Sequence, residues 1–148
     1  MRATTAAGAG FLLAVLWFDL MFDVQILRTA EVAEPELASI SAYYKRVTTD
    51  ARPMNRLVAA VMLATLASAV TEVVRHGGPR WAAWASLALV IGAVALAAAR
   101  TVPRAVRLGA RTGPSDDRAV LARSILHDHL ICLAAIAAVL VIQLVWSR

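Results

Sequence analysis

Four apolar stretches, each close to twenty residues long, fill most of this chain, and they limit its fold more than any other feature. They run over Ala6–Leu27, Leu57–Val74, Trp81–Ala99 and Ile125–Trp146. About 20 apolar residues in a helix cross the ~30 Å hydrocarbon layer of a bilayer. A lipid-exposed backbone must satisfy all its hydrogen bonds internally, which leaves helices or closed barrels. These runs are continuous rather than alternating, so the expected fold class is all-α, an integral membrane four-helix bundle. The chain is 60% hydrophobic and only 17% charged, against about 45–50% and ~25% in soluble domains. The connections have no room for a soluble domain, so residues 1–148 are read as one transmembrane domain.

The net charge is +5. In a soluble protein such a surplus would suggest nucleic acid; here the basic residues flank apolar segments, which suits anionic headgroups and orientation. The connections 28–56 and 100–124 carry eleven Lys and Arg, whereas Arg2, Arg75, Arg80 and Arg148 share the other side. The positive-inside bias therefore places both long connections in the cytoplasm and both termini outside a cell inner membrane. The first apolar run carries acids and lacks an Ala-x-Ala exit, so it is expected to stay as a span. Cys132 is the one cysteine, which excludes an intrachain disulfide.

Within the first long connection, Glu34-Pro35-Glu36 reads as a helix start, with Pro in the first turn and acids at the positive dipole end. Leu37, Ile40, Tyr44 and Val47 then recur at helical spacing. This gives a short amphipathic helix at the membrane surface, with Tyr43 and Tyr44 as interfacial anchors. Thr65, Ser68 and Glu72 form one stripe on span 2, which points to a central helix. Glu72 and His76 sit one turn apart. His76-Gly77-Gly78-Pro79 is a tight turn, and Trp81 and Trp84 follow as anchors. The run from Arg100 to Arg111 is read as a helix along the headgroups. Thr112 to Asp117 is a turn and N-cap signal from which span 4 grows.

The chemistry concentrates on two acids in span 1, Asp19 and Asp23. A charged side chain at the centre of a membrane helix costs about 2.5–3.5 kcal/mol on insertion scales. The proposed topology brings these acids level with the start of span 4, which holds Arg123, His127, Asp128 and His129, and with Asn55 and Arg56 opening span 2. His127 shares a face with Ala134, Ala135 and Ala138, so small-residue packing points it inward and His129 outward. A structural network is one outcome, with Asp23 paired to Arg56 or Arg123. A catalytic one makes Asp23 the base and His127 its partner, with Asp19, Asn55, Arg56 and Arg123 binding the substrate. Acids one turn apart plus a histidine suit a metal, but the Glu-x-x-His pairs of di-iron bundles are missing, so no metal site is assigned. The cofactor is unknown.

Two stretches, ARPMNRLVAA with Asn55 and Arg56, and ARSILHDHLICLAA with Arg123 and His127, together with the four-span layout, resemble those of anthrone-oxygenase-like small membrane proteins. That resemblance implies a polar pocket for a small hydrophobic molecule and cofactor-independent oxygenase-type acid/base chemistry. Two other readings stand beside it. One is a non-catalytic accessory or structural subunit of a larger membrane complex or homo-oligomer. The other is a proton-coupled efflux protein.

Overall fold

The computed structural model describes residues 2–27, 34–75 and 79–146. Arg28, His76, Gly77, Gly78 and Arg148, and with them the turn at 76–78 and the Glu72–His76 pair, lie outside the described residues. The described segments are helical almost throughout. In order they are α1 (Arg2–Asp23) with a 3-10 turn (Val24–Leu27), α2 (Glu34–Lys45), a π turn (Arg46–Asp50), α3 (Arg52–Arg75), α4 (Arg80–Leu96), a second π turn (Ala97–Thr101), α5 (Val102–Gly109) and α6 (Ser115–Val145). Four runs are long and apolar enough to cross a membrane: Arg2–Leu27, Pro53–Arg75, Arg80–Gly109 and Ser115–Val145. The all-α membrane fold is as expected.

The four long helices form a square. Helix α1 packs on α3 and α6, α4 packs on the same two, and α3 and α6 face each other across a diagonal. The expectation that span 2 is central is therefore corrected. Its buried stripe of Thr65, Ser68, Ala69 and Glu72 is narrow, and Leu57, Leu63, Val70 and Val74 are exposed around it. The most enclosed helix is α6, because α2 and α5 also pack on it.

Both α4–α5 and α6 outrun the bilayer. The stretch Arg80–Gly109 has 30 residues and α6 has 31, about 45 Å each at 1.5 Å per residue. Pro103 sits inside the first of these, where it cannot donate to the carbonyl one turn back. The π turn Ala97–Thr101 stands just before it, and the helical path continues through both into α5. The two protruding ends form a wall on which α2 lies. Helix α2 starts at Glu34 as expected, but its buried residues Leu37, Ile40, Ser41 and Tyr44 meet α5 and α6. Gly109 allows that approach: a Cβ there would stand 2.7 Å from the Lys45 backbone nitrogen. Arg118 donates to both Glu34 carboxylate oxygens at 2.9 Å, and Arg111 donates to the Ala38 carbonyl at 2.9 Å. The chain reverses into α6 through positive φ at Arg111 and Gly113, as the Thr112–Asp117 signal implied.

Two apolar clusters result. One joins α1, α2, α5 and α6 through Leu20, Ile26, Ile40, Tyr44, Leu108 and Ile125. The other fills the square through Ala9, Leu12, Val90, Cys132, Ile136 and Val139. At the end holding both termini, Trp81 meets Trp146 edge-on at 4.7 Å, and Arg2 Nη1 donates to the Trp146 carbonyl at 2.7 Å.

Candidate functional site

Helical spacing puts Asp19 and Asp23 one turn apart on the same face of α1. That face meets α6 and α2, and the acids find their partners there. Asp23 is 1% exposed. Its Oδ2 accepts a hydrogen bond from His129 Nδ1 at 2.6 Å, and its Oδ1 accepts one from the Tyr44 hydroxyl. Asp19 accepts from the Tyr43 hydroxyl at 2.6 Å, and its other oxygen lies 3.9 Å from His129 Nε2. One imidazole thus stands between two carboxylates, and two adjacent phenols close the far side. Phe22 stacks on Tyr43 with ring centroids 4.0 Å apart, fixing that phenol over α1.

Asp128, next to His129 on α6, is fully buried and looks to α5 and the π turn. Arg104 Nη1 donates to its Oδ2 at 3.0 Å and also to the Ser124 hydroxyl, while Arg100 Nη2 stands 3.3 Å from its Oδ1. The π turn and α5 carry the Arg100–Arg111 run alongside α6, so two of its arginines neutralise a buried acid rather than a headgroup.

Several expected placements are corrected here. His127 is exposed and His129 is the buried histidine. Asp23 pairs with His129 and Tyr44, not with Arg56 or Arg123, which are both on the surface. Asn55 is exposed too, and its side chain donates to the Thr48 carbonyl at 3.1 Å, tying α3 to the preceding π turn. The start of span 2 is therefore not part of the acid cluster; α2 takes its place. Tyr43 and Tyr44 are ligands of the acids rather than interfacial anchors. Among the described residues no group of three or more His, Cys, Asp and Glu is arranged to hold a metal ion.

The two phenols lie on α2, outside the spans, and both hold their protons far above the ordinary value of 10. Burial is the larger cause for each, followed by the charge of Asp19 for Tyr43 and of Asp23 for Tyr44. A folded-state value raised above the unfolded one favours the folded protein while the phenol is protonated. That contribution is complete below about pH 10 and is lost as the pH climbs past the unfolded value of ~10. Denaturation midpoints of detergent-solubilised protein should accordingly be unaffected by these phenols from pH 8 to about 9.5 and fall above it. The Tyr43→Phe, Tyr44→Phe double variant should show a shallower alkaline fall.

A second polar layer lies toward the termini. Glu72 accepts from the Thr5 hydroxyl and from Gln143 Nε2 at 2.9 Å, and Gln143 also donates to Ser86 at 3.2 Å. All four long helices contribute to it. An open pocket of about 340 Å³ beside it is lined by Arg2, Glu72, Arg75, Gln143 and Trp146 among others. Between the two layers, bounded by all four long helices, lies a half-open, mostly apolar cavity of about 140 Å³.

No curated protein and no solved structure matches the chain. One family matches it over residues 3–146, and it is not the anthrone-oxygenase-like group. The resemblance drawn from ARPMNRLVAA and ARSILHDHLICLAA is thereby overturned, and the oxygenase expectation that rested on it goes too. The inner-membrane expectation likewise finds no support, since the matching family is described as an ER membrane protein. Across nearly its whole length, this four-span chain belongs to the SHR3 chaperone family, ER membrane protein SH3.

Proposed function

We propose that this chain is a non-catalytic accessory protein of the membrane in which multi-pass proteins are made, where it acts as a chaperone for their spans. The observation that carries this reading is the family match over residues 3–146. The buried polar groups support it. Asp23, Asp128 and Glu72 are each engaged by side chains of other helices, which suits a scaffold whose acids lock its own bundle. The exposed apolar residues of α1 and α3, among them Trp17, Phe18, Leu57 and Leu63, give client spans a surface to pack on. In this reading the α2 wall and both long connections face the cytoplasm, on the positive-inside bias. Both termini then face the ER lumen.

Cells depleted of the chain test the proposal. Quantitative membrane proteomics should show a defined set of multi-pass proteins reduced several-fold, with their transcripts unchanged. Photo-crosslinkers placed at Leu57 or Leu63 should capture newly made members of that set. A membrane proteome unaltered by depletion would overturn the reading.

A further inference from the structure

The half-open cavity bounded by the four long helices is lined mostly by apolar side chains. Leu12, Leu16, Val58, Met62, Val94 and Ile136 are among its walls, yet Asp19 and His129 also line it. Its volume, about 140 Å³, is close to the ~150 Å³ apolar cavity that admits a benzene-sized guest. That is room for five or six non-hydrogen atoms. A neutral hydrocarbon would leave one feature unanswered. Asp19 has one oxygen, Oδ2, that makes no hydrogen bond among the described residues, its nearest cation being the imidazole at 3.9 Å. The side chain is 16% exposed, so a guest can reach it.

The charges around it point to the sign of that guest. Asp19 and Asp23 on α1 face His129 on α6, and Tyr43 and Tyr44 on α2 contribute neutral phenols. Arg100 and Arg104, from the π turn and α5, are engaged by Asp128. Asp128 takes both guanidinium groups, so the two carboxylates of α1 are left to share one imidazole, which sits 2.6 Å from Asp23 but 3.9 Å from Asp19. We propose that the cavity is a binding site for a short alkylammonium group, with Asp19 as counter-ion and the apolar walls holding the alkyl chain. The inference stands apart from the chaperone reading. A free lipophilic amine and a lysine side chain on a neighbouring span present the same chemistry, since a primary amine near pKa 10.4 is charged at neutral pH.

The probe is n-pentylamine, compared with n-pentanol of nearly equal size, on detergent-purified protein. Pentylamine should raise the melting temperature saturably and shift the His129 ring resonances, and pentanol should do neither to the same extent. Asp19→Asn should lose the amine response. Val58→Phe, which fills the cavity from the peripheral α3 and leaves Asp19's hydrogen bond in place, should lose it as well, and serves if the first variant does not fold. A nanodisc arm separates the two sources. If a single-span peptide with one buried lysine perturbs the same resonances more than its norleucine counterpart, the group comes from a partner helix; if only the free amine does so, it comes from a small molecule. Equal responses to pentylamine and pentanol, an amine response that survives Asp19→Asn or Val58→Phe, or no response in either arm would overturn the proposal.

Discussion

His129→Ala should destabilise the protein by about 3–5 kcal/mol, the range observed when one partner is removed from a buried charged pair. Asp23 is 1% exposed and has only the Tyr44 hydroxyl left once the imidazole is gone. The imidazole also stands beside Asp19, so its loss leaves two carboxylates facing each other in an apolar layer. His127→Ala, two residues away and exposed, should lie within about 0.5 kcal/mol of wild type, as surface substitutions do. Reversible unfolding in mixed micelles, or the amount accumulated in membranes, reads the difference. Equal stabilities for the two variants would contradict the arrangement. Asp23→Asn should fall between them, since it keeps a hydrogen-bond acceptor for one partner while removing the charge.

Gly109→Ala should cost about 1–3 kcal/mol, the usual effect of overpacking. The added methyl group would meet backbone: Lys45 N at 2.7 Å, Lys45 Cα at 2.9 Å and the Tyr44 carbonyl carbon at 3.1 Å. No side chain can turn away to make room, so α2 must move. Because Tyr43 and Tyr44 ride on α2, the shift also loosens both phenols from the acids. The substitution should therefore couple to Tyr44→Phe in a double-mutant cycle, as contacts that share partners do. Gly92→Ala supplies the control, since nothing lies within 4 Å of the added carbon; it should be neutral or slightly stabilising through helix propensity.

The sequence made the spans and their acids legible because both rest on strong terms: apolar length and the cost of charge in hydrocarbon. The histidine assignment failed for an identifiable reason. The small residues Ala134, Ala135 and Ala138 suggest one inward face of α6, but that helix packs through Ile125, Asp128, His129, Cys132, Ile136, Val139 and Gln143. In a membrane helix the polar residues mark the inner face, and from His129 to Gln143 the buried positions recur at steps of three and four along one side. Counting polar positions rather than alanines would have selected His129. The roles of Arg100 and Arg104 were less accessible. A π turn changes the register of the residues after it, and no pattern in Ala97–Thr101 announces one. The contribution of α2 was also hidden: a surface helix and one packed on a protruding wall carry the same apolar periodicity.

Asp23 and His129 are 106 positions apart in the sequence. The first helix to leave the ribosome therefore carries its acids long before the last one brings the imidazole that answers them. Until α6 inserts, α1 has only the phenols of α2 to shield its carboxyl groups. A chain interrupted before its final helix is thus marked as unfinished by its own first helix, and completion of synthesis is built into the bundle as a condition for holding together.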